Sequence, residues 1–153
     1  MGQRPHPSRP VHRTDHPERA GPVQQEARGP RVKTVADIRV LAVGHGTAVV
    51  PEWEPGAASP GWVETEWRGF GAEEMRPYGG GWEGQPGSLR LDDYPYDEVC
   101  VMLTGMVALV DHTGARREFG AGEAFWVPRG FSGTWETVEP STKIFVALPA
   151  TDG

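Results

Sequence analysis

Two apolar runs joined by a very short turn are the feature that most constrains the fold of this chain. Residues 99–103 and residues 106–110 are apolar throughout, and only Thr104 and Gly105 separate them. Apolar runs of this length, joined by a tight turn that contains glycine, are typical of two neighbouring buried strands in a β-hairpin. We therefore expect a β-sheet at the centre of the fold.

The chain from residue 35 onward repeats this pattern of short apolar or alternating stretches cut by turn residues. Its 21 glycines and 15 prolines supply many turns, and no apolar stretch keeps a helical period over the length of a helix. The candidate strands are 39–43, 47–50, 61–67, 81–84, 88–92, 98–103, 106–111, 116–119, 124–127, 133–138 and 143–148. The Gly79-Gly80-Gly81 run is interpreted as a flexible turn. Such a series of short strands predicts an all-β sandwich or barrel of one domain.

The first 33 residues have a different composition from the rest. They carry seven Lys or Arg and three Asp or Glu, with few large apolar side chains. Such a segment cannot bury enough surface to offset the entropy of ordering it. We therefore predict a disordered basic tail at residues 1–33 and a β-barrel domain at residues 34–150. The tail is either a basic arm for an acidic partner or an unselected extension.

Charge and cysteine content limit the partners and the compartment. The formal charge of the chain is −6 and the tail contributes +4, so the remaining residues carry −10. Because nucleic-acid binding needs clustered Lys and Arg, we do not expect a nucleic-acid partner. The single cysteine, Cys100, excludes an intramolecular disulfide, and no apolar run has membrane-spanning length or signal-peptide character. We expect a cytoplasmic protein with no membrane partner.

The spacing of one acidic residue and four turn residues has a counterpart in a known family. Glu98 is followed by six residues and then Gly105, and further along come Gly122, Pro128 and Gly130. This spacing resembles the two sequence motifs of the cupins. The resemblance implies a double-stranded β-helix, or jelly-roll, barrel.

A closer resemblance is to the small single-domain cupins of the ethanolamine-utilisation and ureidoglycine-aminohydrolase-like group. It covers roughly residues 81–148 and is carried by Trp82, Glu83, Tyr94, Asp97, Glu98, Cys100, Leu103, Gly105, Gly122, Glu123, Pro128, Gly130 and Trp135. It also implies a homodimer, since cupins commonly pair through strand exchange at a sheet edge. Pairing would cover an exposed edge such as the one expected near residues 61–67.

The cupin resemblance also implies where a metal ion would be bound. The four ligand positions fall by spacing at Asp92, Tyr94, Glu98 and Gly133. None of them is a histidine, and Gly133 has no side chain, so an imidazole-bound Zn, Cu or Ni site is not expected. We expect no metal cofactor. The alternative is Mn or Mg held by oxygen ligands from Asp92 and Glu98.

Strand alternation predicts a ligand pocket inside such a barrel, because alternate side chains share a face of each strand. The inward faces are expected to carry Arg90 and Asp92 on one strand, Glu98, Cys100 and Met102 on a second, and Gly133, Trp135 and Thr137 on a third. The predicted catalytic residues are Glu98, Tyr94 and Asp92. The predicted ligand-binding residues are Trp135, Arg90, Trp82, Glu83 and Cys100.

Glu98 is the main candidate for a working residue. A partly desolvated carboxylate beside aromatic rings can gain the proton affinity that acid–base catalysis needs. The alternative is a structural acceptor bonded to Arg90 or Tyr94. Cys100 is either a nucleophile or an inert buried thiol, and its apolar neighbours favour the second interpretation. If Glu98 belongs to a ligand site, it should share one cavity with Trp135.

Three functions are compatible with these features. The first is a metabolic enzyme, a lyase, isomerase, cyclase or hydrolase, that acts by acid–base chemistry on a compact polar substrate. The second is a non-catalytic module that binds or senses a small metabolite, and the third is an assembly protein. The ionisable groups expected in the pocket favour the enzyme.

Overall fold

A computed structural model describes residues 29, 31–71 and 76–150 of the chain. Most of the predicted disordered tail, residues 1–28 and 30, therefore lies outside the described residues. The described residues from Thr34 onward lie in one compact unit. No helix among them is long and apolar enough to cross a membrane.

The described residues form ten antiparallel strands and one short 3-10 turn at Val35–Asp37. The strands are β1 (Thr47–Val49), β2 (Glu64–Phe70), β3 (Tyr78–Gly84), β4 (Gly87–Leu91), β5 (Tyr96–Thr104), β6 (Met106–Asp111), β7 (Arg116–Gly120), β8 (Ala124–Val127), β9 (Gly133–Thr137) and β10 (Ser141–Pro149). They make a six-stranded sheet in the order β1-β2-β3-β10-β5-β8 and a four-stranded sheet in the order β4-β9-β6-β7. The predicted all-β jelly-roll fold is confirmed.

Two parts of the predicted strand pattern are wrong. The segment 39–43 is not a strand, because its backbone crosses the face of β3. A Cβ atom on Gly81 would lie 2.3 Å from the backbone of Ala42 and of Val43. The glycine run at 79–81 is not a flexible turn but part of β3. The absence of side chains there lets neighbouring backbone approach the strand closely.

The predicted exposed sheet edge near residues 61–67 is also wrong. β2 pairs with β1 on one side and with β3 on the other, so it lies inside the six-stranded sheet. Among the described strands, the edges of this sheet are β1 and β8. Any pairing between copies through a sheet edge would therefore involve these strands rather than β2.

The core lies between the two sheets and shows strict alternation along β5. Cys100 and Met102 are 0 % and 1 % exposed, whereas Val101 and Leu103 on the other face are 38 % and 46 % exposed. The buried cluster takes residues from both sheets and consists of Trp82, Leu89, Leu91, Cys100, Met102, Val107, Trp135, Phe145 and Ala147. The apolar run 99–103 is thus buried on one face, and this face carries Cys100 and Met102 as the predicted alternation requires.

Charged side chains also enter the interior, and they are concentrated on three strands of the six-stranded sheet. Glu64 and Glu66 on β2, Glu98 on β5 and Lys143 on β10 are each between 4 % and 8 % exposed. Buried charges are stable only where partners compensate for the loss of water. These four charged side chains all line one pocket.

Candidate functional site

A pocket of about 450 Å³ lies between the two sheets. Its walls combine strand residues of both sheets with the loop that follows β1. Glu98 and Trp135 line the same pocket, as a shared ligand site requires. A cavity of this volume, with aromatic walls and a few polar groups, has the size and character of small-molecule sites in proteins.

Glu98 is held at the pocket wall by two donors. The hydroxyl of Tyr94 donates to Oε2 at 2.7 Å, and Nζ of Lys143 donates to Oε1 at 3.0 Å. Lys143 stands opposite Met102 in the β5–β10 pairing, four residues along the strand from Glu98, and its long side chain spans this offset. Glu98 and Lys143 therefore form a buried ion pair, with side chains 8 % and 5 % exposed.

Aromatic rings surround the ammonium of Lys143. Its Nζ lies 4.2 Å from the ring centre of Trp135, 4.9 Å from that of Trp82 and 5.8 Å from that of Phe145. Burial alone would lower the pKa of Lys143, but its contact with Cys100 and its hydrogen-bonded pairing with Glu98 raise the pKa overall. The lysine is thus a fixed cation and a poor nucleophile near neutral pH.

Two other groups of this network keep their protons. Burial raises the pKa of Cys100 to about 12, against a weaker lowering by Lys143. Burial and the charge of Glu98 raise the pKa of Tyr94 well above its usual value. Cys100 is therefore a protonated thiol 3.5 Å from Nζ of Lys143, and Tyr94 is a phenol that donates a hydrogen bond.

A second ion pair lies on β2. Nε and Nη2 of Arg68 both reach Oε1 of Glu66 at 2.8 Å, and the guanidinium lies 4.2 Å from the ring centre of Tyr78. Burial raises the pKa of Glu66 against the lowering effect of Arg68. This carboxylate is already matched by a cation.

Glu64 has a different environment. Its Oε2 accepts from Nε1 of Trp53 at 3.0 Å and from Nε1 of Trp62, and its Oε1 accepts from Nε1 of Trp82 at 3.1 Å. No Lys or Arg of the described residues pairs with it. Three indole donors therefore satisfy its hydrogen bonds and leave its charge uncompensated.

The structure separates the predicted site residues into two groups. Glu98, Tyr94, Trp82 and Trp135 line the pocket, and Cys100 is fully buried next to Lys143. The remaining predicted residues, Arg90, Asp92 and Glu83, do not line the pocket.

The predicted inward position of Arg90 and Asp92 is wrong. Leu89 and Leu91 fill the core side of β4, so the alternation of the strand turns Arg90 to solvent. Its Nε lies 2.9 Å from Asp92, and the two side chains are 55 % and 71 % exposed. Glu83 alternates with the buried Trp82 on β3 and faces away from the pocket for the same reason.

Besides the exposed Glu52, four charged residues of the pocket do not follow from the sequence prediction, namely Lys143, Glu64, Glu66 and Arg68. One signal does point to Lys143, because it shares a strand face with Phe145 and Ala147, and apolar residues in alternation mark the core side. The three β2 residues carry no such signal, because their face of the strand is charged in sequence and the apolar Trp67 lies on the opposite face.

The donor set does not fit a cupin metal centre. Of the four positions that the resemblance assigns to ligands, Asp92 is exposed and Gly133 has no side chain, while both oxygens of Glu98 already accept from Tyr94 and Lys143. Asp92 and Glu98 do not share a site, so the predicted alternative of an oxygen-bound Mn or Mg ion lacks its two ligands. Among the described residues, no group of three or more His, Cys, Asp and Glu could hold a metal ion.

Comparison with known proteins agrees with the fold. Residues 72–145 match the family model of the EutQ-like cupin domain. No curated protein matches the chain. The EutQ protein of Clostridium difficile is 22 % identical with a TM-score of 0.53, and the match covers 60 % of this chain and 66 % of that one. A DUF861-family protein of unknown function from Pseudomonas syringae is 19 % identical with a TM-score of 0.58.

The likeness to these two structures shows the fold alone, since both identities are low. The match to the Pseudomonas syringae protein covers 66 % of this chain but only 43 % of that one, so the chain spans less than half of that protein's length. The family match and the jelly-roll topology agree with each other over residues 76–145. On both grounds, residues 72–145 match a small cupin domain of the EutQ-like group.

Proposed function

We propose that the chain is a cytoplasmic metabolic enzyme that binds a compact polar molecule in the barrel pocket and moves a proton with Glu98 as general base. The observation that carries this proposal is the position of Glu98 on the pocket wall between two donors, Tyr94 at 2.7 Å and Lys143 at 3.0 Å. Donors at both oxygens fix the orientation of the carboxylate, and each oxygen keeps a further lone pair for a substrate proton.

Lys143 can supply the other half of the chemistry. When Glu98 removes a proton from carbon next to a carbonyl, negative charge develops on the carbonyl oxygen. The ammonium of Lys143 lines the same pocket and has three N–H donors, so it can donate to that oxygen while it stays bonded to Glu98. Isomerases, lyases and cyclases share this step, and a hydrolase would use the carboxylate to activate water instead.

A second function is favoured by a specific observation. Each buried carboxylate of the pocket already has partners within the chain, and Glu98 in particular is held in a buried ion pair. A carboxylate in such a pair can be purely structural, in which case the pocket binds or senses a small metabolite without changing it.

Hydrogen–deuterium exchange of substrate C–H bonds separates the two functions. Hydroxyacetone and pyruvate are incubated with the protein in D₂O, and loss of their C–H signals is followed by NMR. The enzyme proposal predicts exchange faster than in buffer and a loss of about 10²-fold or more in Glu98→Gln. Glu83→Gln, which changes an outward carboxylate on β3, should exchange as the wild type does.

The outcome that contradicts the catalytic proposal is exchange in the wild type no faster than in Glu98→Gln. If either compound nevertheless binds the wild-type protein, as judged by saturation of its NMR line broadening, the binding function is supported instead.

A further inference from the structure

The charges that line the pocket do not balance. Three buried carboxylates, Glu64, Glu66 and Glu98, face two cations, Arg68 and Lys143. Two of the carboxylates form ion pairs, Glu66 with Arg68 and Glu98 with Lys143. Of these three, Glu64 is left without a cation among the described residues, so these five groups leave one negative charge uncompensated, and the exposed Glu52 of the pocket lining adds another.

The partners of Glu64 explain how this charge is retained. Three indole N–H groups donate to it, which satisfies its lone pairs, and all of its partners are donors, as an ionised carboxylate requires. Neutral donors do not cancel the charge, and a buried carboxylate without a counter-ion is costly. A cation that enters the pocket would supply the missing charge.

The pocket also stabilises an ammonium group within its own chain. Nζ of Lys143 lies 4.2 Å from the ring centre of Trp135 and 4.9 Å from that of Trp82, and all three side chains line the pocket. Aromatic rings attract cations through the negative potential of their faces. Trp53 and Trp62 extend the aromatic wall to Glu64, and Trp53 is 37 % exposed, which places this end of the pocket within reach of solvent.

We propose that the pocket takes a small organic ammonium ion whose positive nitrogen lies near Glu64, between the indoles of Trp53 and Trp62. A methylated nitrogen fits best, because Oε2 of Glu64 already accepts two hydrogen bonds and has little capacity for further donors. The net charge of −10 on residues 34–153 raises the local concentration of such a cation. This inference names the ligand class of the pocket and rests on the proposed function for the site itself.

Isothermal titration of the full chain with two probes of equal shape tests the inference. Choline carries the quaternary ammonium, and 3,3-dimethylbutan-1-ol replaces its nitrogen by carbon and has no charge. We expect choline to bind at least about tenfold more tightly than the neutral alcohol. Equal affinities, or no measurable binding of choline, would overturn the inference whatever any variant does.

Variants then assign the effect to Glu64. Glu64→Gln should weaken choline binding by about tenfold or more while leaving the alcohol unchanged, whereas Glu83→Gln should change neither. Trp53→Phe removes one N–H donor but keeps the carboxylate, so this variant should still bind choline more tightly than the alcohol. It tests the assignment if Glu64→Gln does not fold. Unchanged choline affinity in a folded Glu64→Gln protein, or loss of the preference in folded Trp53→Phe, overturns the assignment.

The choline titration and the exchange experiment can give opposite results, so the ligand class and the catalytic role are tested separately. Choline binding without any Glu98-dependent exchange leaves the ligand class intact and removes the catalytic role. Glu98-dependent exchange without choline preference does the reverse.

Discussion

Lys143 is the residue whose replacement should affect the fold most directly, because it compensates Glu98 inside the barrel. Lys143→Met leaves Glu98 buried without its cation, and breaking one side of a buried pair costs about 3–5 kcal/mol. We expect the free energy of unfolding, measured by urea denaturation, to fall by about this amount. The double variant Glu98→Gln with Lys143→Met removes both charges and should recover part of the loss.

The exposed pair of Arg90 and Asp92 provides the matched control. Its side chains are more than half exposed, so Arg90→Met should change the free energy of unfolding by less than about 1 kcal/mol. If Lys143→Met costs no more than Arg90→Met, or if the double variant is no more stable than Lys143→Met, the buried pair does not have the role assigned to it.

The site residues that the sequence predicts correctly are those whose position follows from a motif or from a clear alternation along a strand. Glu98, Tyr94, Trp82 and Trp135 were found through the spacing of the cupin resemblance and through strand alternation. The predicted inward position of Arg90 is wrong because alternation defines the two faces of β4 without showing which of them faces the core. The burial of Leu89 and Leu91 shows that their face of the strand is the one that lies against the core.

At the level of single elements, β3 owes its position to glycines that leave room for neighbouring backbone. A Cβ atom on Gly80 would lie 1.7 Å from the carbonyl oxygen of Trp67 on β2. Backbone cannot yield as a flexible side chain does, so Gly80→Ala should lower the free energy of unfolding by about 3 kcal/mol or more. Thermal unfolding followed by circular dichroism measures the change.

A second strand glycine is the control for this prediction. A Cβ atom on Gly120, at the end of β7, would meet nothing nearer than 3.9 Å, which is ordinary contact. Gly120→Ala should therefore be neutral within about 1 kcal/mol. Equal melting temperatures for the two variants would show that β2 and β3 can separate without loss of stability.

The elements that the sequence predicted with correct bounds are those with dense apolar content between turn residues. β6 and β8 begin and end at the predicted residues, 106–111 and 124–127, because glycine or proline stands next to one or both of their ends. The segment 39–43 has the same apolar content and is not a strand. Its backbone is instead held against Gly81, a long-range contact that local pattern does not contain.

For the whole molecule, the six-stranded sheet carries charged side chains on its inner face and apolar side chains on part of its outer face. This is the reverse of the usual arrangement. The interior holds one buried ion pair, one partly buried ion pair and Glu64, whereas the outer face of β5, β8 and β10 is apolar. Pairing places Val99 opposite Trp126 on β8 and opposite Val146 on β10. A contiguous apolar face of this kind is a common site of association.

We propose that this face pairs two copies of the chain. Trp126 is 61 % exposed and Val101 is 38 % exposed, and β8 is an edge of the sheet with unpaired backbone on one side. A two-fold axis beside β8 would bring the apolar faces of the two copies together and would cover the β8 edge of each copy. The expected mass by light scattering is therefore twice the 16.7 kDa of one chain.

Charge on this face should separate the copies without unfolding them. Val101→Glu together with Trp126→Glu is expected to give a monomer by light scattering, since two like-charged, desolvated carboxylates per copy would face each other across the axis. Val63→Glu changes a residue that is 56 % exposed outside this face and should leave the dimer intact. A wild-type monomer would contradict the proposed pairing, and a dimer that survives the double substitution would place the association elsewhere. Circular dichroism of the double variant checks that it stays folded, since Val101 is 38 % exposed and part of its side chain is covered by neighbours.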